Sequence, residues 1–141
     1  MSNSGIKKSH KRIPIVLSIA IITAVGIFMF SMLGKSQEER RNREYEVSLV
    51  NALKNSYQGI EEIKIMNPYY NDKPGSWSCD VEIKFIDEKT LKYGINHHLS
   101  YKTNYGGRQE TNEDWQYLET HKGKTLKSVK ITYSDYEQGE Q

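Results

Sequence analysis

The stretch that decides the fold is Ser76–Lys102, "SWSCDVEIKFIDEKTLKYGINHHLSYK". Apolar and polar residues alternate on both sides of the short interruption "IDEKT". Because successive side chains of a strand point to opposite faces of the sheet, each half has one apolar and one polar face. The pattern predicts a β-hairpin with one buried face. The residues predicted to point inward are Trp77, Cys79, Val81, Ile83 and Phe85, followed by Leu91, Tyr93, Ile95, His97, Leu99 and Tyr101.

The alternation also limits the register of this hairpin, because an inward residue must lie opposite another inward residue. The best match of apolar residues pairs Phe85 with Leu91 and places Cys79 opposite His97. This pairing brings two lysines of the polar face together, which is mildly unfavourable. A shift by one pair separates the lysines and places Cys79 opposite Leu99.

The only cysteine of the chain, Cys79, is predicted to pack in the core and not to act as a nucleophile. Trp77 and Val81 flank it on the apolar face, and burial among apolar side chains disfavours the reactive thiolate. His97 and His98 point to opposite faces because they are adjacent on a strand, so they cannot both bind one metal ion. The sequence therefore predicts no catalytic, cofactor-binding or metal-binding residue.

A long amphipathic helix is predicted before the hairpin, from about Gln37 to Gln58. Apolar residues recur in it at intervals of four residues and form one stripe, which predicts packing against the sheet. Gly59 follows where a left-handed residue commonly ends a helix. The stripe consists of Tyr45, Leu49, Leu53 and Tyr57.

Three further elements complete the predicted fold. Alternation predicts strands at Ile60–Met66 and in "LKSVKITY" (126–133), and a helix at about Thr111–His121 has Trp115 and Leu118 on its buried side. The predicted order is helix, strand, strand, strand, helix, strand. The fold class is therefore α+β, with an antiparallel sheet covered on one face by the long helix.

The N-terminal part of the chain predicts a membrane anchor. Residues Ile13–Leu33, "IPIVLSIAIITAVGIFMFSML", contain no charged residue and as a helix would span roughly 30 Å of hydrocarbon. The run is longer than the h-region of a cleaved signal peptide, and no small-x-small cleavage site follows it. The predicted organisation is a basic tail (1–12), a transmembrane helix (13–33), a polar stalk or helix extension (34–44), an α+β domain (45–134) and a polar tail (135–141).

Charge gives the orientation and excludes one class of partner. Lysine and arginine are balanced on the two sides of the apolar segment, but the N-terminal tail has no acidic residue while basic and acidic residues are mixed after the segment. We therefore expect a cytoplasmic N-terminus and an extracytoplasmic domain. The formal net charge is only +2, so the chain lacks the strongly basic field of a nucleic-acid-binding protein.

Two long predicted loops, Asn67–Ser76 and Lys102–Asn112, provide candidate contacts for a protein partner. Tyrosine and arginine are enriched at binding hot spots because each offers a large contact area with a polar tip. The alternative is that the tyrosines fold back over the sheet edge and cover the core. The candidate partner contacts are Tyr69, Tyr70, Tyr105 and Arg108.

The basic start, the single apolar span and a small α+β domain with strands such as "WSCDVEIKF" resemble one class of bacterial proteins. These are uncharacterised small signal-anchored membrane proteins of low-GC Gram-positive bacteria such as streptococci. The resemblance implies a location at the cell membrane, with the lipid bilayer around residues 13–33. It implies no activity.

Three functions remain open from the sequence. The favoured one is a tethered binding module that engages an envelope or secreted protein. The second is a structural or accessory subunit of a membrane assembly, in which Ala20, Ala24 and Gly26 would allow close helix–helix approach. The third, an enzyme, is disfavoured because no catalytic constellation is found.

Overall fold

A computed structural model of the chain describes residues 34–141. The predicted basic tail and membrane span, residues 1–33, lie outside the described residues. Within the described part, no helix is both long and apolar enough to cross a bilayer. The elements are α1 (Gln37–Ser56), β1 (Ile60–Asn71), β2 (Ser76–Phe85), β3 (Thr90–His97), α2 (Asn112–Thr120), β4 (Lys130–Thr132) and β5 (Gln138–Glu140).

The long helix α1 begins where the sequence predicts it. Ser36 is its N-cap, and the Ser36 hydroxyl accepts a hydrogen bond from the Glu39 amide at 3.2 Å. The helix continues through most of the segment that was open between a stalk and a helix extension. It ends at Ser56, two residues before the predicted end, and Gly59 then adopts a left-handed conformation with φ of 76°.

The five strands form one sheet in the order β3-β2-β1-β4-β5. The β1–β2, β2–β3 and β4–β5 pairs are antiparallel, but β1 and β4 are parallel, with Ile63 opposite Ile131. The prediction of a wholly antiparallel sheet is therefore wrong, and the sheet is mixed. The physical reason is the crossover between β3 and β4, which contains α2 and is long enough to return the chain beside β1 in the same direction.

Strand β1 is longer than predicted, and the predicted loop 67–76 is mostly strand. Asn67 adopts a φ of 54°, and the β1–β2 register shifts between Met66 and Tyr69. This bulge absorbs the irregular backbone at Asn67 and Pro68, so that pairing resumes at Tyr69. Only a short turn, residues 72–75, then separates β1 from β2.

The β2–β3 register differs from both registers considered from the sequence. Trp77 lies opposite His97, and Cys79 lies opposite Ile95. The turn explains the difference, because the Phe85 amide donates to the Lys89 carbonyl at 2.9 Å. Glu88 provides the left-handed residue, with φ of 73°, that a three-residue hairpin loop requires. The hairpin is therefore tighter than the apolar matching suggested.

The predicted polar tail after Tyr133 is part of the fold, because β5 pairs with β4. Arg43 of α1 is buried and donates to Asp135 at 2.8 Å and to Glu137 at 2.9 Å, which lie within and just after the tight turn between β4 and β5. Its guanidinium lies 3.9 Å from the centroid of the Tyr133 ring. The sequence prediction failed because the chemistry that holds this segment is polar and comes from a distant helix.

Beside Arg43, the carboxylate of Glu46 is also buried. It accepts hydrogen bonds from the Ser134 amide at 2.7 Å and from the Ser134 hydroxyl at 3.0 Å. Burial raises the pKa of Glu46 to about 7, although the Ser134 bonds and the Arg43 charge oppose the shift and Asp135 adds to it. This pair of α1 residues connects the helix to the β4–β5 hairpin.

The core lies between α1, α2 and one face of the sheet. Leu118 of α2 is buried as predicted, but Trp115 is 52 % exposed because Tyr117 and Leu118 pack on the sheet instead, with Tyr117 5.0 Å from Phe85 between ring centroids. Two residues predicted to point inward, at positions 99 and 101, are exposed because β3 ends at His97. The core residues are Tyr45, Leu49, Val50, Leu53, Tyr57, Ile60, Ile63, Ile65, Trp77, Cys79, Val81, Ile83, Phe85, Leu91, Tyr93, Ile95, Leu118, Val129, Ile131 and Tyr133.

Candidate functional site

The sheet face opposite α1, here called the outer face, consists mainly of polar side chains of β1, β2 and β3. Opposite charges face each other across neighbouring strands: Lys84 opposite Glu62, and Lys64 and Lys92 on either side of Glu82. Such cross-strand pairs are mildly favourable and leave little net charge. The middle of the outer face is therefore typical of a solvated surface.

One end of the outer face is different. Tyr69 lies opposite Ser78, and Ser78 lies opposite Asn96, so these three residues form a row without charge. Tyr69 is 63 % exposed. With neighbouring strands about 4.8 Å apart, Tyr69 and Asn96 are about 10 Å apart across this row.

Residues 98–108, here called the edge loop, return along the open edge of β3. Asn104 is buried and fixes this loop. Its main-chain amide donates to Ser56 Oγ at 2.7 Å, and its side-chain amide donates to the Asn96 carbonyl at 2.8 Å. Its side-chain oxygen accepts from the Gly106 amide at 3.0 Å. The edge loop is thus held to both α1 and β3.

Two glycines allow the end of the edge loop to lie against the sheet. Gly107 has a φ of 124°, and a Cβ there would come within 2.5 Å of the Tyr93 ring. The next residue, Arg108, donates its main-chain amide to the Gly94 carbonyl at 2.8 Å. A Cβ on Gly94 would lie 2.8 Å from Nη2 of Arg108. The guanidinium therefore lies directly over Gly94.

A pocket of about 440 Å³ lies between β3 and the edge loop, and it is here called the β3-edge pocket. Amide and hydroxyl groups, two tyrosine rings and one guanidinium line it. The chain thus combines rigid backbone with polar tips, the arrangement expected of a recognition pocket. The lining residues are Gly94, Asn96, Tyr101, Thr103, Asn104, Tyr105, Gly106, Gly107 and Arg108.

Tyr105 is half packed and half exposed. Its ring meets that of the buried Tyr57 edge-on, with 5.8 Å between centroids, and Lys122 Nζ lies 5.1 Å from its centroid. The exposed fraction of Tyr105 is 49 %. The packed half of the ring covers the core, which is one of the two alternatives drawn from the sequence, and the other half is open to solvent.

Tyr70 is separate from this surface. It points to the inner face of the sheet, opposite Trp77, where its ring centroid lies 6.1 Å from that of Tyr45 and 4.0 Å from the guanidinium of Arg41. It therefore covers the core. Of the other candidates, Tyr69 lies at one end of the outer face, whereas Tyr105 and Arg108 belong to the edge loop.

Two pocket residues, Asn96 and Tyr101, were not singled out from the sequence as partner contacts. Tyr101 was assigned to the inner face by extending the alternation past the end of β3. Gly94 was the available signal, because a glycine within a strand often marks the close approach of another segment. Here that segment is the edge loop.

The cysteine and histidine that suggested an active site lie in the core. Cys79 is buried, and burial raises the pKa of its thiol, with further contributions from Glu46 and Asp80. Nε2 of His97 lies 2.9 Å from Ser48 Oγ. Its Nδ1 accepts from the side-chain amide of the edge-loop asparagine at 3.1 Å. Burial, together with the neighbouring histidine, lowers the pKa of His97 to about 4, so the ring is neutral near pH 7. Its two nitrogens make the structural hydrogen bonds described above.

Residues 34–141 contain no group of three or more His, Cys, Asp or Glu side chains placed to bind a metal ion. We compared the chain with protein-family models, curated proteins and solved structures. None of the three comparisons found a match. A binding function is therefore proposed from the residues of the outer face and the β3-edge pocket.

Proposed function

We propose that the chain is a single-pass membrane protein whose extracytoplasmic domain binds another protein. The membrane part of this proposal is supported by the charge-free apolar segment Ile13–Leu33 and the acid-free basic tail that precedes it. In this proposal the domain is confined to the cell surface, where an envelope or secreted protein is its partner.

The binding part is supported by one observation: two exposed tyrosines and an arginine are presented on fixed backbone, one on the outer face and two in the edge loop. Tyr69 extends from a paired strand, and Tyr105 and Arg108 belong to a loop that Asn104 anchors. Ordering flexible side chains and loops on binding costs free energy, and a preorganised surface avoids part of that cost. Tyrosine and arginine are also the residues most often found at interface hot spots.

Location is tested first, by protease treatment of intact cells that carry the chain with a C-terminal tag. We expect loss of the tag, because the domain is proposed to face outward. The same treatment after lysis and a cytoplasmic marker protein serve as controls. A tag that is cleaved only after lysis would contradict an extracytoplasmic domain.

Binding is tested by placing a photo-crosslinking amino acid at Tyr69 or Tyr105 in intact cells. Tyr136 is the matched control, because it is a tyrosine that is 84 % exposed and lies in the turn before β5, at the other edge of the sheet. We expect a defined adduct from positions 69 and 105 and none from position 136. Equal adducts from all three positions, or none at all, would contradict a specific surface.

Replacement of the apolar segment by an unrelated transmembrane helix separates this proposal from the accessory-subunit alternative. A tethered module keeps its adducts after the exchange. If contacts of Ala20, Ala24 and Gly26 with another helix carry the function, the exchange abolishes it, whereas substitutions on the outer face have no effect.

A further inference from the structure

We propose that the β3-edge pocket binds a carboxylate side chain of the partner, so that the partner contributes an acidic segment anchored by Arg108. This inference rests on the proposed protein-binding function and adds the chemistry of the partner. Its first support is the state of the guanidinium. Among the described residues, no carboxylate lies within ion-pair distance of Arg108.

Arg43 and Arg108 differ in the partners of their guanidinium groups. Arg43 is buried and bonded to two carboxylates, so it serves the fold. Arg108 is exposed, and the carboxylate of Asp80 on the neighbouring strand instead accepts from the side chain of Asn67 at 2.8 Å. A Cβ on Gly94 would lie 2.8 Å from Nη2 of Arg108 and 3.3 Å from Oδ1 of Asp80, so the guanidinium lies near this carboxylate without forming an ion pair with it. Its donors therefore remain open to a ligand carboxylate.

The guanidinium is also fixed in position. The main chain of Arg108 is bonded to Gly94, and the absence of a side chain on Gly94 lets the guanidinium lie against the strand. An arginine can donate two parallel hydrogen bonds to one carboxylate, and such charge-assisted bonds are roughly twice as strong as neutral ones. A guanidinium that is already held in position before binding favours these two parallel hydrogen bonds.

The rest of the pocket suits a side chain better than an added strand. The carbonyls of Gly94 and Asn96 on the open edge of β3 already accept hydrogen bonds from the edge loop, so strand addition is blocked there. The hydroxyls and rings of Tyr101 and Tyr105 line the pocket, and both residues are about half exposed. Together with the guanidinium they can hold the carboxylate and stem of one acidic side chain.

Two cationic side chains border the pocket, and the carboxylate of Asp80 lies close to one of them. Arg108 lines the pocket, and Lys122, which forms an ion pair with Glu119 at 3.1 Å, lies against the ring of Tyr105. Glu62 and Glu82 of the outer face are opposite lysines of neighbouring strands, whereas Asp80 lies opposite Met66 and Gly94. Complementary charge at a rim increases the association rate and selects partners of the opposite sign.

The test measures binding of a model carboxylate to the full chain in non-ionic detergent micelles. The chain is labelled with 3-fluorotyrosine, and the fluorine resonances of Tyr101 and Tyr105 are assigned with the Tyr→Phe variants. N-acetylglutamate N-methylamide is the probe, and the corresponding glutamine compound is the neutral control. We expect saturable shifts of both resonances with the glutamate compound and smaller, non-saturating shifts with the glutamine compound.

Three variants test whether binding depends on the charge of Arg108 and on the position of its guanidinium. Arg108→Ala should weaken binding about tenfold, as expected for loss of a charge-assisted pair of hydrogen bonds. Lys92→Ala removes the same charge from an exposed position on β3 outside the pocket, and it should change binding less than about twofold. Gly94→Ala keeps the Arg108 charge but displaces its guanidinium, and it should weaken binding without lowering the thermal unfolding temperature.

The outcomes distinguish this inference from the proposed function. Equal shifts with both compounds, or an unchanged affinity in Arg108→Ala with an unchanged melting curve, would overturn the carboxylate site. Crosslinking from Tyr69 and Tyr105 that persists in Arg108→Ala would leave the binding module standing and exclude Arg108 as its anchor. Loss of the adducts in Arg108→Ala but not in Lys92→Ala would support both.

Discussion

Two buried titratable side chains, Glu46 and His97, respond to pH in opposite directions. The folded pKa of Glu46, about 7, lies above the ordinary value of 4.5, so its contribution to stability is present at low pH and is lost as pH rises through 7. The folded pKa of His97, about 4, lies below the ordinary value of 6.5, so its contribution is lost as pH falls through that range. The two effects offset each other between these limits.

We predict that Glu46→Gln changes the pH dependence of stability, because it removes the Glu46 contribution and leaves that of His97. Glutamine retains an oxygen that can accept from the Ser134 amide but has no proton to release, so only the His97 effect remains. The free energy of unfolding of the variant minus that of wild type should be about 3 kcal/mol higher at about pH 8 than at about pH 4, because only wild type loses the Glu46 contribution as pH rises. Urea unfolding at a series of pH values measures the difference. Parallel pH profiles for the two proteins would contradict the buried, proton-binding state of Glu46.

Gly107 is a second residue at which the local conformation decides the outcome. We predict that Gly107→Ala lowers the free energy of unfolding by about 2 kcal/mol, because φ of 124° is strained for alanine and the new Cβ would overlap the Tyr93 ring. Gly106→Ala is the matched control, since its Cβ would meet only the Asn104 side-chain oxygen at 3.2 Å. Chemical denaturation of the two variants checks this. Equal losses would mean that the edge loop does not lie on Tyr93.

At the scale of elements, the edge loop is held mainly by one side chain. We predict that Asn104→Ala lowers the free energy of unfolding by about 3 kcal/mol, because it removes bonds to Asn96 and Gly106 and leaves the buried His97 Nδ1 without its donor. Asn55→Ala is the control, since this exposed asparagine bonds the same loop only through the Lys102 carbonyl, and it should cost less than about 1 kcal/mol.

Hydrogen exchange separates the two asparagine variants further. The amides of Gly106 and Arg108 should exchange faster in Asn104→Ala than in wild type, while the amides of β2 remain protected. Unchanged exchange at these two amides would show that the loop is held by other contacts.

The β4–β5 hairpin depends in a similar way on Arg43. We predict that Arg43→Ala lowers the free energy of unfolding by about 2 kcal/mol, a value reduced for the partial exposure of Asp135 and Glu137. Arg40, exposed on the same helix, is the control, and its replacement by alanine should have little effect. In Arg43→Ala, hydrogen exchange of the β5 amides should become faster than in wild type, and the β2 amides should be less affected. An equal loss in both variants would contradict the role of Arg43.

These elements also show what could be predicted from the sequence and what could not. The alternation in Trp77–Phe85 predicts a strand and its buried face, because that pattern is local. The register depends on the left-handed conformation of Glu88, and a glutamate gives no sign of it. The role of β5 depends on Arg43 and Glu46, which are distant in sequence, and no periodicity connects them to it.

The same limit applies to the candidate site. Residue type alone selected Tyr69, Tyr105 and Arg108, and the structure places Tyr69 on the outer face and the other two in the edge loop. Residue type also selected Tyr70, but the bulge at Asn67 turns Tyr70 to the inner face. Which tyrosine is exposed depends on one backbone irregularity, and an alternating pattern cannot place it.

For the whole molecule, strand β1 joins two parts of the sheet. On one side it pairs with β2 in a local antiparallel hairpin, and on the other with β4, whose partner residues are distant in sequence. Non-local parallel pairing is slow because the chain loses the entropy of closing a long loop before the contacts between the two strands form. We therefore expect the β1–β2–β3 part to form first and the β4–β5 hairpin to dock afterwards.

This order of docking matters when the chain is made, because a polypeptide emerges from the ribosome or the translocon from its N-terminal end. β1 is synthesised well before β4, so its edge at residues Glu62–Lys64 is open in the nascent chain while the crossover is still being made. An open strand edge can pair with another molecule, and charged side chains discourage this. Glu62 and Lys64 point outward at this edge. Their charges therefore disfavour pairing of the nascent chain with another molecule, and in the folded sheet they lie opposite charges of the other sign.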